Sequence, residues 1–213
     1  MILVDDQILT FLRGEVRRQV SDWRYAHILS VEQEAANLAQ IYMPEKTDKI
    51  RIAAILHDIT KDFNVEKQLN LCEKFGIIQN DSYLYGKILH SFTGAEWIKR
   101  EYPSLVDEEI VSAVRWHTVG RENMTPFECL IYLADFIEPT RPFEECKALR
   151  AYFYSQLELP DANKWTVLIR TMIRSLDESI RSLVEEGCMI APSSVSARNY
   201  FLKLSKNNAD CFI

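Results

Sequence analysis

The sequence predicts an all-α protein that folds as a single helical bundle. Apolar residues recur with the helical period along most of the chain, and no segment shows the alternation of a half-buried strand. Glycine and proline are sparse, with six and seven among 213 residues, which disfavours many short strands joined by tight turns. No linker or repeat divides the chain, and its length is enough to bury one large core. We therefore expect one domain over residues 1–213.

The composition narrows the class of protein and its partners. Hydrophobic residues make up 47% and charged residues 26%, as in ordinary globular proteins. The net charge of −6 argues against a nucleic-acid partner. No signal segment or membrane-length apolar run is visible, so we expect a cytoplasmic protein without a membrane partner. The five cysteines are odd in number and never arranged as CxxC, which predicts reduced thiols rather than disulfides or structural zinc.

Capping residues and helix breakers place the individual helices. The clearest case is the segment that begins at Thr125 and Glu128, which form a capping box, with Pro126 at the first helical position and Pro139 at the far end. The same reasoning predicts helices over residues 22–42, 47–63, 65–75, 84–103 with a break near Gly94, 108–117, 126–138, 161–187 and 193–206.

Charged and polar residues interrupt two of the apolar helical faces. His57 and Asp58 lie in the stretch AAILHDITKD, next to the apolar stripe of that helix. Asp135 lies in LIYLADFIE, without a lysine or arginine three or four residues away. A buried carboxylate is costly unless it is paired or coordinates an ion. Both segments therefore need an explanation beyond packing.

A bound divalent metal ion removes these costs together. His27, His57, Asp58 and Asp135 offer two imidazoles and two carboxylates, a set that suits iron, manganese, zinc or a similar ion. The remaining histidines, His90 and His117, could hold a second ion or contact phosphate directly. The alternative for any single histidine is a hydrogen-bonded packing residue.

Cations accompany the proposed ligands. Arg24 is three residues before His27, and Lys61 is three after Asp58, so each lies one helical turn from a ligand. Arg121 follows His117 closely, and Arg141 follows Asp135. A metal ion surrounded by such cations favours phosphate as the ligand. The alternative for any one of them is a solvated surface charge.

Six segments of the chain resemble those of a known protein family. The segments RYAHILSV, LHDITKD, LHSFTGA, RWHTVGR, LADFIEPTR and ARNYF are similar to those of the HD-domain metal-dependent phosphohydrolases. The similarity is greatest to the bacterial symmetrical bis(5′-nucleosyl)-tetraphosphatases, and it covers about residues 22–202. HD alone is a weak signal, but HTxGR followed by ADxIEPxR is specific.

The resemblance implies a single all-helical HD domain that cleaves diadenosine tetraphosphate symmetrically to two ADP, by attack of a metal-bound hydroxide. It assigns the metal, iron or else manganese, zinc, cobalt or nickel, to His27, His57, Asp58 and Asp135. It implies catalytic roles for Lys61, His90 and His117. The residues that would face the nucleotide are Arg24, Lys61, His90, His117, Arg121, Arg141 and Arg198.

Two alternatives to this function stay open at the level of sequence, and so does the oligomeric state. One is another HD-type enzyme, either a nucleotidase or a deoxynucleoside triphosphohydrolase, which would share the metal site. The second is a nucleotide-sensing protein without catalytic activity, against which the intact set of histidines and aspartates argues. The apolar residues of the helix over 161–187 are compatible with a homodimer contact or with ordinary core packing.

Overall fold

A computed structural model of the protein describes residues 6–77 and 87–206. These residues form ten α-helices, one short 3-10 helix and no strand, which confirms the predicted fold class. The helices are α1 Asp6–Arg17, α2 Asp22–Tyr42, α3 Thr47–Leu56, α4 Val65–Phe75, α5 Leu89–Glu101, α6 Glu108–Trp116, α7 Pro126–Ile137, α8 Glu144–Leu157, α9 Lys164–Glu185 and α10 Pro192–Lys206, with the 3-10 helix over Pro44–Lys46.

Helices α3 and α7 form the centre of the core. From Ile52 to Leu56 every residue of α3 is buried, and so is every residue of α7 from Phe127 to Ala134. Helix α3 packs against α1, α2 and α6, whereas α7 packs against α2, α6, α8 and α9. A helix that is buried on all sides needs a reason to carry charged residues.

The predicted helix starts are confirmed where a side chain caps the helix. Ser21 accepts a hydrogen bond from the amide of Arg24 at the start of α2, and Asp107 caps α6. Thr125 and Glu128 form the complete capping box of α7. Such caps satisfy amides that have no partner within the helix, each contributing about 1 kcal/mol.

The helix predicted over 47–63 is shorter than expected. It ends at Leu56, and residues 57–63 form a tight turn, in which the amide of Lys61 donates to the carbonyl oxygen of Asp58 at 2.9 Å. The Nδ1 of His57 donates to the carbonyl oxygen of Ala54 at 2.7 Å, which competes with the next bond of the helical ladder. We call residues 57–62 the HD turn.

The break predicted near Gly94 is wrong, because α5 continues through this residue. Helix α5 packs directly on the HD turn at Gly94, where a Cβ would lie 3.4 Å from the Oγ1 of Thr60, an ordinary van der Waals contact. Thr60 also donates to the carbonyl oxygen of His90 at 2.9 Å, and Gln68 donates to the carbonyl oxygen of Thr60 at 2.6 Å. These contacts fix the HD turn against α5 and α4. The first residues of the predicted helix, 84–86, lie outside the described part of the chain.

Two helices, α1 and α8, lie outside the segments for which the sequence predicts a helix. Leu9, Leu12 and Val16 bury one face of α1 against the core.

In the part of the chain that the structure describes, no helix is both long and apolar enough to span a membrane. The cytoplasmic location and the homodimer contact stay predictions. Four of the five cysteines lie within the described ranges and form no disulfide there, and Cys211 lies outside them.

Candidate metal centre

Five segments of the chain bring all the predicted metal ligands into one cluster. Helix α2 supplies one histidine, the HD turn supplies the adjacent pair, and α5, α7 and the residue after α6 supply the rest. All are buried except Asp135, which is partly exposed. We call this set the metal centre: His27, His57, Asp58, His90, His117 and Asp135.

One half of the metal centre contains the four predicted ligands. The Nε2 of His27 lies 3.1 Å from Asp135 Oδ1 and 3.8 Å from Asp58 Oδ2. The Nε2 of His57 lies 3.5 Å from Asp58 Oδ2 and 3.8 Å from Asp135 Oδ1. Ligand atoms a few ångströms apart can surround one ion with bonds near 2 Å.

The other half contains His90 and His117, on the opposite oxygen of Asp58. Asp58 Oδ1 lies 3.2 Å from the Nε2 of His90 and 3.5 Å from that of His117. The two Nε2 atoms are 3.2 Å apart, and the hydroxyl of Thr118 is 3.1 Å from both. Asp58 therefore stands between two pairs of imidazoles, with one carboxylate oxygen towards each pair.

The orientation of the rings fits a metal ion. His57 and His117 donate through Nδ1 to the backbone carbonyl oxygens three residues earlier, each at 2.7 Å. His27 directs its Nδ1 to Glu138 Oε1 at 3.1 Å. These contacts leave Nε2 facing the cluster, and the Nε2 atoms of His27 and His57 are buried without a hydrogen bond among the described residues. Buried polar atoms without partners are rare, and a metal ion would satisfy both.

The electrostatics of the metal centre also suit metal binding. Burial lowers the pKa of His57 to about 4, and burial together with the charge of Lys61 lowers that of His90 to about 3, so both imidazoles are neutral at pH 7. Burial also lowers the pKa of His27, but Asp135 and Glu138 outweigh it and raise the value to about 9. A metal ion must therefore displace a proton from His27.

The two carboxylates of the metal centre are ionised. Burial would raise the pKa of Asp58, but the surrounding histidines hold it well below its ordinary range. Burial would also raise the pKa of Asp135, but the charge of Arg141 and the contact with His27 lower it well below its ordinary range. Ionised carboxylates and neutral imidazoles are the forms that ligate divalent ions.

Two arginines contact the carboxylates directly. Arg24 Nη1 donates to Asp58 Oδ2 at 2.7 Å, and its Nε is buried without a hydrogen bond among the described residues. Arg141 forms an ion pair with Asp135 and donates through Nε to its carbonyl oxygen at 2.9 Å. Although no cation lies three or four residues from Asp135, the fold brings Arg141 to it from six residues away.

Lys61 lies beside the second half of the metal centre. Its ammonium group is 3.2 and 3.3 Å from the two ring nitrogens of His90 and 3.3 Å from the carbonyl oxygen of Lys87. Burial lowers the pKa of Lys61, opposed by the charges of Asp58 and Asp135. The side chain thus places its amine nitrogen at the edge of the cluster.

The two other predicted substrate contacts, Arg121 and Arg198, have partners outside the metal centre. Arg121 places Nε and Nη2 each 3.0 Å from Glu128 Oε1, the same carboxylate that completes the capping box of α7. Arg198 forms an ion pair with Asp177 of α9. Neither contact joins these arginines to a member of the cluster, and their roles towards a nucleotide stay predictions.

Three further residues contact the metal centre and were not predicted. Glu138 lies three residues after Asp135 and binds His27, and Thr118 directly follows His117. Trp23 stacks on the ring of His27, with centroids 6.2 Å apart, although 66% of Trp23 is exposed. The spacing of Glu138 from Asp135, one helical turn, is a signal that could have identified it.

We expect Glu138→Gln to weaken metal binding by about 10- to 100-fold, since carboxylates that orient a ligating histidine typically contribute this much. The carboxylate holds Nδ1 of His27 and so directs Nε2 to the cluster. Competition with a chelator of known affinity would measure the change. The matched control is Glu144→Gln, because Glu144 is exposed and pairs with Lys147. Equal affinity in wild type and Glu138→Gln would contradict this role.

Comparisons with known proteins agree with this geometry. The model of the HD domain family matches residues 24–140. Proteins named bis(5′-nucleosyl)-tetraphosphatase, symmetrical, are similar to this chain: one from Halalkalibacterium halodurans is 30% identical, covering 88% of this chain and 93% of the relative. Another from Staphylococcus aureus is 31% identical, covering 87% of this chain and 90% of the relative.

A solved structure has the same fold. It is the crystal structure of a predicted HD superfamily hydrolase involved in NAD metabolism from Clostridium acetobutylicum, with 30% identity and a TM-score of 0.79, covering 91% of this chain and 96% of the other. The family implies a divalent metal ion, and the cluster provides ligands for one. The chain belongs to the HD domain family of metal-dependent hydrolases, together with the symmetrical bis(5′-nucleosyl)-tetraphosphatases.

Proposed function

We propose that this protein hydrolyses diadenosine tetraphosphate symmetrically to two molecules of ADP. The observation that carries the proposal is the ionised carboxylate of Asp58, which stands between two pairs of imidazoles and is bordered by Arg24 and Lys61. Such an arrangement suits a substrate with several negative charges. The names of the relatives specify a dinucleoside tetraphosphate.

We further propose two divalent transition-metal ions, with iron as the metal. His27, His57, Asp58 and Asp135 would hold one ion, as predicted from the sequence. The other oxygen of Asp58, with His90 and His117, would hold the second. A nitrogen and oxygen ligand set without thiolates suits iron. Ions bound here would lower the pKa of a coordinated water from 15.7 to roughly 7 and polarise phosphoryl oxygens.

The cations of the chain would neutralise the phosphate chain. Arg24 Nε has no hydrogen bond among the described residues and lies 3.8 Å from Asp62 Oδ1, and Lys61 holds its ammonium beside His90, so both offer donors to phosphoryl oxygens. Arg141 offers a third positive charge next to Asp135. Charge on the departing ADP is thereby offset, and ADP leaves without strong help from a general acid. His90 is neutral at pH 7 in this setting, which favours a ligand role over that of a proton donor.

For Lys61→Ala we expect kcat/KM for diadenosine tetraphosphate to fall about 10- to 100-fold, the loss of one charged hydrogen bond of 1.5–3 kcal/mol. Metal content should be unchanged, because Lys61 contacts His90 from outside the ligand set. Parallel metal analysis and steady-state kinetics would measure both. Lys67→Ala is the control, since Lys67 lies over the ring of Phe63 and not at the cluster. Loss of metal from Lys61→Ala would show a structural role instead.

The function itself is tested by chromatography of the products. The metal-loaded protein is incubated with diadenosine tetraphosphate, and ADP alone is expected. ATP with AMP would place the attack at a different phosphorus and refute symmetrical cleavage. No turnover of the dinucleotide, together with phosphate or tripolyphosphate from mononucleotides, would support the nucleotidase or triphosphohydrolase alternative. Tight ADP binding without any turnover would support a nucleotide sensor.

A further inference from the structure

A groove of about 550 Å³ lies beside the metal centre, between α9, residues 187–191 and the C-terminal end of α7. Building on the proposed function, we propose that this groove binds the nucleoside at one end of the substrate while the phosphate chain extends to the metal centre. Its volume is within the range of small-molecule sites, about 300–1,000 Å³. None of its lining residues is a proposed metal ligand.

The groove is adjacent to the metal centre. A smaller cavity of about 160 Å³ is lined by His117, Asp135 and Arg141, which belong to or border the metal centre. The two spaces share four lining residues: Thr118, Phe136, Cys146 and Ser179. The smaller cavity therefore lies between the groove and the ligands, which is where the proposal places the phosphate chain.

The charges of the two regions are opposite and determine the orientation of the substrate. Arg24, Lys61 and Arg141 border the metal centre. Among the described residues, the groove is lined by Glu145, Glu178 and Glu186 and by one cation, Lys87. Lys87 pairs with Glu186 and Arg181 pairs with Glu178, which leaves the groove without excess positive charge. Carboxylates repel phosphate but accept hydrogen bonds from ribose hydroxyls and from the amino group of a base. Phosphate is thus favoured at the metal centre and the uncharged nucleoside in the groove.

The apolar lining suits a nucleobase. Phe136 lines both spaces, and Ile180, Leu183 and Met189 line the groove. Exposed apolar surface that is rimmed by polar groups is typical of a ligand site. Leu183 is partly exposed and belongs to neither hydrophobic cluster of the described residues, so packing of the core does not account for it.

The test compares ADP with inorganic pyrophosphate, which lacks a nucleoside. Calorimetry on the metal-loaded wild type should show ADP binding at least tenfold tighter. In Leu183→Asp, which places a charge in the groove, we expect the dissociation constant of ADP to rise at least tenfold and that of pyrophosphate to change less than twofold. Ser182→Trp, which fills the groove from an exposed position of α9, should give the same result.

Val184→Asp is the matched control, because Val184 is the next residue of α9, is 60% exposed and does not line the groove. It should leave both affinities unchanged. Equal binding of ADP and pyrophosphate to the wild type would overturn the proposal, and so would unchanged ADP affinity in both groove variants. If the groove variants weakened pyrophosphate binding as much as ADP binding, the effect would lie at the metal centre, and this result would also overturn the proposal. These outcomes do not depend on turnover, so they are distinguishable from failure of the proposed reaction.

Discussion

Asp58→Asn is expected to lower kcat/KM for diadenosine tetraphosphate by at least about 1,000-fold, equivalent to about 4 kcal/mol of transition-state stabilisation. The reason is geometric, because the two oxygens of Asp58 face different pairs of imidazoles. An amide has the same shape, but it carries no negative charge and offers only one acceptor oxygen. We therefore expect both halves of the metal centre to lose affinity together.

Metal analysis and kinetics on the same preparation measure these effects. Asp48→Asn is the matched control, since Asp48 is an exposed aspartate in the first turn of α3. It should retain full metal content and activity. An Asp58→Asn protein that keeps its metal and its activity would contradict the bridging role of this carboxylate.

Asp135→Ala is expected to abolish activity and to remove the ion of the first half of the metal centre. Asp135 Oδ1 lies 3.1 Å from the Nε2 of His27, so the substitution removes a carboxylate from the first half of the metal centre. It also leaves Arg141, the ion-pair partner of Asp135, without its counter-charge, and the free guanidinium would repel a cation. Bound metal per chain, measured by mass spectrometry of the element, should fall by at least the ion of this half.

The control for Asp135→Ala is Asp177→Ala, which also removes the partner of an arginine but lies on α9 outside the metal centre. It separates the loss of an ion pair from the loss of a ligand. A metal-loaded, active Asp135→Ala protein would show that Asp135 is not a ligand. Loss of metal in Asp177→Ala would show that the effect is indirect.

Local chemistry explains which parts of the fold the sequence could predict. The capping box of Thr125 and Glu128 needs only neighbouring residues, and α7 begins where it predicts. The end of α3 depends instead on His57, whose ring takes the carbonyl oxygen of Ala54. Gly94 lowers the local helix propensity, yet α5 continues through it and packs there beside Thr60, which is distant in sequence. Tertiary contacts overrode local propensity at both positions.

The candidate site likewise has parts that the local sequence predicts and parts that only tertiary contacts create. The six members of the metal centre were identifiable because buried histidines and aspartates on apolar helical faces need a partner. The spacing of Glu138 from Asp135 marks it as a candidate, but its partner His27 is 111 positions away and only the folded chain shows that contact. The groove combines segments from Lys87 to Ser194, so its shape is visible only once the chain is folded.

The most direct measurement is a titration of the metal-free protein with Fe²⁺ under anaerobic conditions, with ADP formation from diadenosine tetraphosphate followed at each step. The proposed centre predicts no ADP without metal and a rate that reaches its maximum at two bound ions per chain. Full activity with one bound ion would contradict the second ion position at His90 and His117. ADP formation by the metal-free protein would contradict the account as a whole.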